Sequence, residues 1–296
     1  MKNNLTRSAS LRDKLGIIFV LILFFASFFI WQKIFANEES RNNLLEVIFF
    51  DVGEGDSILV KAPESIQILI DGGPKRSVLE KIAKEMPFYD RKIELIILTH
   101  PDKDHITGLF EILDVFEVDK ILMPKMIGKN EQKNLYVLFK NLIQERDIDL
   151  IFAKTGQKII FPKGSFLIFW PKFGADFSDT NEFSVVSKVS FGEIDFLLTG
   201  DATEDVEGWL LEENFDLNSE ILKVGHHGSK YSTSEEFIKE VFPEVAVISV
   251  GRNNYGHPAK EVLENLNKYD INIYRTDQSG NIKIISDGQS YKVSAE

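Results

Sequence analysis

The sequence predicts an α/β protein: one mixed domain in which sheets pack together with helices outside, preceded by one membrane-spanning helix. Three observations support this fold class. The 296 residues are 44% hydrophobic, which is enough for a buried core. Short apolar runs alternate with helical patterns, and no repeat or low-complexity tract interrupts them. One long uncharged segment lies close to the N-terminus.

The N-terminal segment 15–32 is apolar on every face and carries no charge after Lys14. Its length is at the short end of what crosses a bilayer core of roughly 30 Å. The preceding residues 1–14 have a local charge of +3, and a basic flank stays on the cytoplasmic side of a membrane. We therefore predict a transmembrane anchor at 15–32 after a basic cytoplasmic N-terminus at 1–14.

The rest of the chain is expected outside the cytoplasm. Residues 37–43 are polar and lack periodicity, so 33–43 is interpreted as a linker and 44–296 as the folded domain. The predicted location is thus the cell membrane, with a single pass and an extracytoplasmic domain. A signal peptide is the alternative interpretation, because Ile34-Phe35-Ala36 would be acceptable as a cleavage site.

Each element after residue 44 is predicted from its hydrophobic period. Apolar runs rich in β-branched and aromatic residues indicate strands, and apolar residues three and four apart indicate helices. The strand patterns are Leu45–Phe50, Ser57–Ala62, Ile66–Ile70, Leu95–Thr99, Lys120–Met123, Phe166–Trp170, Val185–Val189, Phe196–Thr199, Ile221–Val224 and Val245–Ser249. The helical patterns are Val78–Lys84, Gly108–Phe116, Glu131–Arg146, Glu204–Glu213, Ser234–Val241 and Ala259–Tyr269.

Composition excludes several kinds of function. The chain has no cysteine, so disulfides, thiolate catalysis, iron–sulfur clusters and cysteine-type zinc sites are excluded. The net charge is −12, and the part after residue 14 carries −15. A domain this acidic does not bind nucleic acid through bulk electrostatics, so an anionic substrate would need local cations to receive it.

All five histidines follow predicted strands. Two of them lie in HPDKDH at 100–105, two at 226–227 and one at 257, and Asp201 also closes a predicted strand. Parallel strands that end together bring the loops that follow them to one rim. The alternative for the 100–105 segment by itself is a solvated polar turn. The full set of histidines and carboxylates instead predicts a metal site.

Several blocks of the sequence resemble a known family. HPDKDH resembles the metallo-β-lactamase-fold motif HxHxDH in its variant HxDxDH. The surrounding blocks resemble the soluble hydrolase domain of ComEC-type DNA-internalisation proteins. These blocks are DVGEGDS at 51–57, IDGG at 70–73, TGD at 199–201, HHGS at 226–229, NYGHP at 254–258 and RTDQSG at 275–280. They run from residue 46 to about 285, which is essentially the whole folded part.

The resemblance implies an αββα sandwich with two divalent ions at one edge. The implied ligands of the first ion are Asp104, His105 and His257. The implied ligands of the second are His100, Asp102 and either His226 or His227, with Asp201 bridging the two ions. Because Asp102 stands where the superfamily motif has an imidazole, the ligand set favours Mn²⁺, with Zn²⁺ as the alternative.

Further roles follow from the same resemblance. Asp104 would also orient a hydroxide, and His227 would donate a proton to the leaving group or support the ligands through hydrogen bonds. Supporting positions behind the ligands are expected for Asp71, Asn181 and Ser229.

The chain also departs from the family pattern. Glu54 stands where the family commonly has Gln, and Thr107 where it commonly has Gly. No histidine occurs between His105 and His226, so one metal site would be poor in histidine. Since the chain has one hydrophobic segment, we expect any DNA channel to be a separate protein.

Three classes of function remain from the sequence. The first is a phosphodiesterase or nuclease that acts on DNA, or on another phosphodiester, and is linked to DNA uptake. The second is a hydrolase of a small ester, lactone or β-lactam, because a fold does not determine the substrate. The third is a non-enzymatic surface module. Four cations in loops would guide a phosphate backbone in the first class and would be ordinary surface charges in the others: Lys125, Lys129, Lys230 and Arg252.

Overall fold

A computed structural model describes residues 15, 19–29, 32, 43–174 and 177–295. The described residues of the N-terminal segment are helical. In the described parts of the chain, no helix is both long enough and apolar enough to cross a membrane. The predicted segment 1–14, part of 15–32 and nearly all of the linker at 33–43 lie outside the described residues. Residues from 44 onwards form one compact unit, separate from the N-terminal unit.

Two β-sheets form the centre of this unit. The first has the order β15-β14-β1-β2-β3-β4-β5-β6 and the second the order β13-β12-β11-β10-β9-β8-β7. The strands are β1 (Leu45–Phe49), β2 (Ile58–Ala62), β3 (Ile66–Ile70), β4 (Lys92–Ile97), β5 (Glu117–Met123), β6 (Asp149–Phe152), β7 (Lys158–Phe161), β8 (Gly164–Trp170), β9 (Val186–Phe191), β10 (Ile194–Leu198), β11 (Ile221–Lys223), β12 (Val245–Ile248), β13 (Asn272–Arg275), β14 (Ile282–Ser286) and β15 (Tyr291–Ala295).

Helices cover the outer faces of both sheets. They are α1 (Ser77–Glu85), α2 (Lys103–Val115), α3 (Asn134–Glu145), α4 (Glu204–Glu212), α5 (Glu235–Val241), α6 (Lys260–Lys268) and the short α7 (Thr276–Ser279). Helices α1 to α3 pack on the first sheet, and α4 to α6 pack on the second. The mixed α/β fold with two packed sheets and helices outside is therefore confirmed.

The alternation of side chains along the strands builds this layering. In β1, Leu45, Val47 and Phe49 lie in the core between the two sheets, whereas Ile48 packs outwards against the helices. Successive residues of a strand point to opposite faces, so a strand covered on both sides is apolar at most positions, and four of the five residues of β1 are apolar. All residues of β1 are accordingly buried.

Helix α2 begins at Lys103, five residues before the predicted start at Gly108. The prediction placed HPDKDH in a strand-to-helix turn, but Asp104 and His105 lie in the first turn of the helix. Asp102 occupies the N-cap position, and its carbonyl accepts the N–H of His105 at 3.0 Å. The helix runs close to the turn after β3, because a Cβ on Gly108 would lie 1.9 Å from the carbonyl oxygen of Gly72.

Five strands were not predicted: β6, β7, β13, β14 and β15. Four of these are the edge strands of the two sheets. An edge strand pairs on one side and is partly exposed, so its apolar pattern is weaker than that of a central strand. The strands predicted from apolar runs are all present, with ends shifted by a few residues.

Candidate metal centre

The carboxyl ends of strands from both sheets meet at one edge of the sandwich. Strand β4 of the first sheet leads into His100 and helix α2. Strands β10, β11 and β12 of the second sheet are parallel, and they lead into Asp201, His226-His227 and the loop that ends at His257. Parallel strands end at the same edge, which brings residues distant in sequence together. His100 and Asp201, for example, lie 3.8 Å apart between Nε2 and Oδ2.

Four of the predicted residues form a compact group: Asp104, His105, Asp201 and His227. One ligand atom from each lies within 4.8 Å of the others. Asp201 Oδ2 is 3.3 Å from His105 Nε2 and 3.4 Å from His227 Nε2. Asp104 Oδ2 is 3.4 Å from His227 Nε2 and 3.8 Å from His105 Nε2. Two imidazoles and two carboxylates thus point at one another.

The ring of His105 is oriented by Asp71. Nδ1 of His105 donates to Asp71 Oδ2 at 2.8 Å. The same carboxylate accepts the N–H of Thr99 at 2.8 Å and its hydroxyl at 2.6 Å. An imidazole held through Nδ1 presents Nε2 as a lone-pair donor, which is the usual arrangement behind a metal ligand. Asp71 therefore lies where the sequence placed it, behind the ligands.

The ring of His227 is oriented in the same way by a backbone group. Its Nδ1 donates to the carbonyl oxygen of Ser249 at 2.8 Å, which leaves Nε2 directed at Asp104 and Asp201. The turn itself is strained, because His226 (φ 45°) and His227 (φ 54°) both have left-handed backbone conformations. Each such non-glycine residue costs on the order of 1–3 kcal/mol, and this strain concentrates at functional sites.

His100 lies beside this group and is fully buried. Its ring centre is 4.1 Å from that of His105. Nδ1 of His100 is 3.3 Å from the hydroxyl oxygen of Ser184, and the same oxygen accepts the N–H of Asp201 at 3.1 Å. Ser184 thus links two predicted ligands, and the sequence analysis had not identified it.

Other predicted residues lie at the rim or outside the group. Asp102 Oδ1 is 3.8 Å from Lys133 Nζ, and Asp102 is not a member of the four-residue group. His226 Nε2 is 3.9 Å from Asp201 Oδ2, and its ring centre lies 5.5 Å from that of His257. Nδ1 of His257 is 3.4 Å from Glu54 Oε1. His257 thus contacts Glu54 and His226, and its role as a ligand with Asp104 and His105 stays a prediction.

The two remaining predicted supporting residues take part in local turns. Asn181 begins a short 3₁₀ turn and donates its N–H to Asp179 Oδ1 at 3.0 Å. Ser229 is buried, and its hydroxyl oxygen accepts the N–H of Tyr231 at 3.3 Å. Ser229 therefore stabilises the loop that follows His227.

A buried cation that the sequence analysis missed lies beneath the group. Lys223 is fully buried in β11, and its Nζ lies 2.5 Å from Asp56 Oδ2 and 3.8 Å from Asp201 Oδ1. It also donates to the carbonyl oxygen of Gly200 at 2.9 Å. A lysine inside an otherwise apolar strand, in the sequence ILKV, was the available signal. Asp201 consequently faces Lys223 with Oδ1 and the histidines with Oδ2.

The charges of the group shift its pKa values strongly. Burial lowers the pKa of His227, but Asp201 and Asp104 outweigh burial and raise it to about 10. Burial also disfavours the charged form of His105. The carboxylates of Asp201 and Asp71 outweigh burial and hold the pKa of His105 well above its ordinary value. Burial, and then the charge of His105, lower the pKa of His100 to about 3. Without a metal, protons on His105 and His227 therefore balance the negative charge of the carboxylates.

Unpaired buried atoms show that the group fits a divalent ion. Among the described residues, the Nε2 atoms of His100, His105 and His227 and Oδ1 of Asp201 are buried without a hydrogen-bond partner. Such atoms are rare in folded proteins, and each needs an explanation. A bound ion is one such explanation. Imidazole nitrogen together with carboxylate oxygen suits Zn²⁺ and Mn²⁺. The residues present are therefore a plausible ligand set.

Known proteins share this sequence pattern and fold. The family model of the metallo-β-lactamase superfamily matches residues 50–252. ComE operon protein 3 of Bacillus subtilis is 33% identical over 256 residues, which are 80% of this chain and 32% of that protein. Recombination protein 2 of Haemophilus influenzae is 30% identical over 244 residues, covering 81% of this chain and 28% of that protein. The chain thus spans about a third of the length of these curated relatives.

A solved structure supports the fold alone. The metallo-β-lactamase fold protein YhfI from Bacillus subtilis superimposes with a TM-score of 0.56 at 11% identity. The match covers 81% of this chain and 99% of that protein. The αββα arrangement implied by the sequence resemblance therefore agrees with both the family match and the structural match.

Proposed function

Because this chain belongs to the metallo-β-lactamase superfamily, we propose that it is a metal-dependent phosphodiesterase that cleaves DNA and is linked to DNA uptake. The link to DNA uptake is supported by similarity to ComE operon protein 3 and to a competence protein of Neisseria gonorrhoeae. The proposal includes a membrane anchor at 15–32 and an extracytoplasmic hydrolase domain, supported by the +3 flank before the uncharged segment.

The observation that carries the proposal is the convergence of Asp104, His105, Asp201 and His227. These four residues would hold one divalent ion. His100 and His226, whose Nε2 atoms lie 3.8 and 3.9 Å from Asp201 Oδ2, would contribute to a second. Bound divalent ions would acidify a water molecule and neutralise the charge of a phosphodiester, which the acidic domain would otherwise repel. We propose Mn²⁺, with Zn²⁺ as the alternative.

The protein's own groups determine how this site works. Asp71 holds His105 and the Ser249 carbonyl holds His227, each through Nδ1, so that both Nε2 atoms face the ligand group. Nε2 of His227 would bind the metal, with donation of a proton to the leaving group as its alternative role. Asp104 is partly exposed, so its carboxylate faces both the ligand group and the solvent from which substrate arrives.

The first experiment tests the reaction. Purified metal-replete protein is assayed with a single-stranded DNA oligonucleotide and bis-p-nitrophenyl phosphate, and in parallel with a lactone and a β-lactam. We expect hydrolysis of both phosphodiesters, abolished by Asp104→Ala and by Asp201→Asn while circular dichroism stays unchanged. Asp114→Asn is the matched control, since Asp114 lies in the same helix and pairs with Arg146 at the surface. Activity towards the lactone or β-lactam alone would reject the phosphodiesterase.

The second experiment tests the ligand set. Asp102 pairs with Lys133 in the structure, although the resemblance implied that it binds metal. Metal content after dialysis is measured by elemental analysis for Asp102→Asn and for Asp201→Asn. We expect Asp102→Asn to keep its metal and Asp201→Asn to lose it. Equal losses of metal in the two variants would mean that Asp102 is a metal ligand.

The third experiment tests the membrane topology. Protease is added to intact cells that produce the protein. We expect the hydrolase domain to be degraded, because the proposal places it outside the cytoplasm. A domain that is protected in intact cells and digested after lysis would contradict the proposed location.

A further inference from the structure

A large aromatic side chain is exposed beside the metal centre. Tyr255 is 80% exposed, and one face of its ring stacks on the ring of His257 at 5.7 Å between centres and an interplanar angle of 28°. His257 in turn contacts His226, with ring centres 5.5 Å apart, and His226 Nε2 lies 3.9 Å from Asp201. A chain of two ring contacts thus connects Tyr255 to the ligand group.

The loop that carries Tyr255 is held in place by one side chain. Asn253 Oδ1 accepts the N–H groups of Tyr255, Gly256 and His257 at 3.1, 3.0 and 3.0 Å. The amide nitrogen of Asn253 donates to the carbonyl oxygens of Gly251 and His257. The ring is therefore presented by a backbone that is already ordered, so a ligand that stacks on it does not have to order the loop.

A second exposed aromatic lies in the neighbouring loop. Tyr231 is 62% exposed and follows the turn that contains His226 and His227. Lys230 Nζ lies 4.8 Å from the centre of its ring. The two loops are joined directly, because the N–H of Ala259 donates to the carbonyl oxygen of Gly228 at 2.8 Å. Both loops that carry rim histidines thus also present an aromatic face.

The same loops carry positive charge that is not compensated. Arg252 and Lys230 are exposed, and within the described ranges neither has an acidic partner within ion-pairing distance. They stand out because the chain after residue 14 carries a net charge of −15. Cations interleaved with exposed aromatic rings are the combination that binds single-stranded nucleic acid, since bases stack on the rings while phosphates contact the cations.

We propose that Tyr255 is the stacking platform for an unpaired base next to the phosphodiester bound at the metal centre. The substrate is then single-stranded nucleic acid. In the interior of a duplex both faces of each base are already stacked on neighbouring pairs, so Tyr255 has no free base to contact there. This inference rests on the proposed phosphodiesterase function and adds to it the form of the substrate and a residue that selects it.

The test measures binding without turnover. Fluorescence anisotropy of the metal-replete protein is recorded with two phosphorothioate decamers, which resist cleavage: one of thymidine and one of abasic units with the same backbone charge. We expect wild-type protein to prefer the thymidine decamer by roughly 5- to 150-fold, the range for one stacked base. Tyr255→Leu is expected to reduce this preference to near unity, and Tyr255→Phe to retain it because the ring remains.

The matched control is another exposed aromatic far from the site. Phe88 is 89% exposed and precedes β4, whereas His100 follows it, so Phe88 lies at the opposite end of that strand. Phe88→Leu is expected to leave the thymidine preference unchanged. A preference that survives Tyr255→Leu, or a loss of the same size in Phe88→Leu, would overturn the proposal.

The outcomes separate this inference from the proposed reaction. A protein that cleaves DNA but whose thymidine preference does not depend on Tyr255 would reject the stacking platform and keep the phosphodiesterase. If the protein cleaves no phosphodiester but shows the Tyr255-dependent preference, the proposed binding site is retained and the proposed phosphodiesterase reaction is rejected. If wild-type protein bound a duplex decamer as tightly as the single strand, the proposal that the substrate is single-stranded would be wrong.

Discussion

Replacing Lys223 with methionine removes a buried positive charge that two buried carboxylates face. The ammonium group lies 2.5 Å from Asp56 Oδ2 and 3.8 Å from Asp201 Oδ1, and it donates to the Gly200 carbonyl at 2.9 Å. Methionine has a similar length and no charge, so the variant keeps most of the packing of β11. Asp56 is then left buried without its cation. We therefore expect the folded state to be destabilised.

The magnitude follows from the burial of both partners. Removing one partner of a buried ion pair costs about 3–5 kcal/mol, because the remaining charge stays buried and loses its nearest cation. For a domain of this size, a change of 1 kcal/mol shifts the melting temperature by about 2–4 °C. Lys223→Met should therefore lower the melting temperature by about 6–20 °C. The comparable surface change, Lys260→Met, breaks the exposed pair with Glu264 and should have almost no effect.

The assay is thermal unfolding followed by circular dichroism, in chelator and then with Mn²⁺ added. The double variant Lys223→Met/Asp56→Asn separates a lost charge pair from a packing defect, because it removes both charges together. We expect the double variant to recover most of the lost stability. A Lys223→Met protein that melts like wild type, or a double variant destabilised by the sum of the single changes, would refute the reasoning.

Three further predictions concern titratable groups. Asp71→Asn leaves one accepting oxygen for the groups that two carboxylate oxygens now serve, the N–H and hydroxyl of Thr99 and Nδ1 of His105, and should weaken metal binding about 10- to 100-fold, measured by calorimetry; unchanged affinity would contradict the role of Asp71. Because the carboxylates raise the pKa of His227 to about 10 and hold the pKa of His105 well above its ordinary value in the metal-free protein, a metal must displace both protons, and affinity should rise by up to about a hundredfold per pH unit between about pH 6 and about pH 8; a flat profile in competition titrations would contradict this. Burial raises the pKa of Glu207 from 4.5 to about 7, so its contribution to stability is lost as pH rises through that interval. Glu207→Gln mimics the protonated form and should remove this loss of up to about 3 kcal/mol, measured by urea unfolding at about pH 5 and about pH 8.

Much of the fold could be predicted because central elements are defined by burial. The run Ile66–Ile70 was predicted with the bounds that β3 has, since a strand covered on both faces is apolar at most positions and Gln67 is its only polar residue. Edge strands such as β13 (Asn272–Arg275) were missed because they pair on one side and lie partly exposed. The start of α2 was missed because Asp102, Lys103 and Asp104 are polar, whereas the prediction depended on the apolar residues that follow.

The residue types of the site were determined by the sequence alone. Every histidine follows a strand, and the motif blocks place His100, Asp104, His105 and Asp201 where ligands were expected. These predictions depend on local order along the chain, which the sequence contains directly. The same local order indicated that Asp71 would lie behind the ligands, and its contact with His105 agrees with that position.

The grouping of those residues was decided by the tertiary structure. A metal site requires ligand atoms close to one another, and Asp104 lies in α2 after a strand of the first sheet, whereas Asp201 follows β10 of the second sheet. Two consecutive left-handed residues at 226–227 direct His227 inwards and leave His226 at the rim, a choice that the sequence HHGS leaves open. The sequence does not show that Lys223 is the partner of Asp56, because the two residues are distant in sequence and meet only in the folded protein. Sequence determines which groups are available, whereas the packing of the two sheets determines which of their atoms meet.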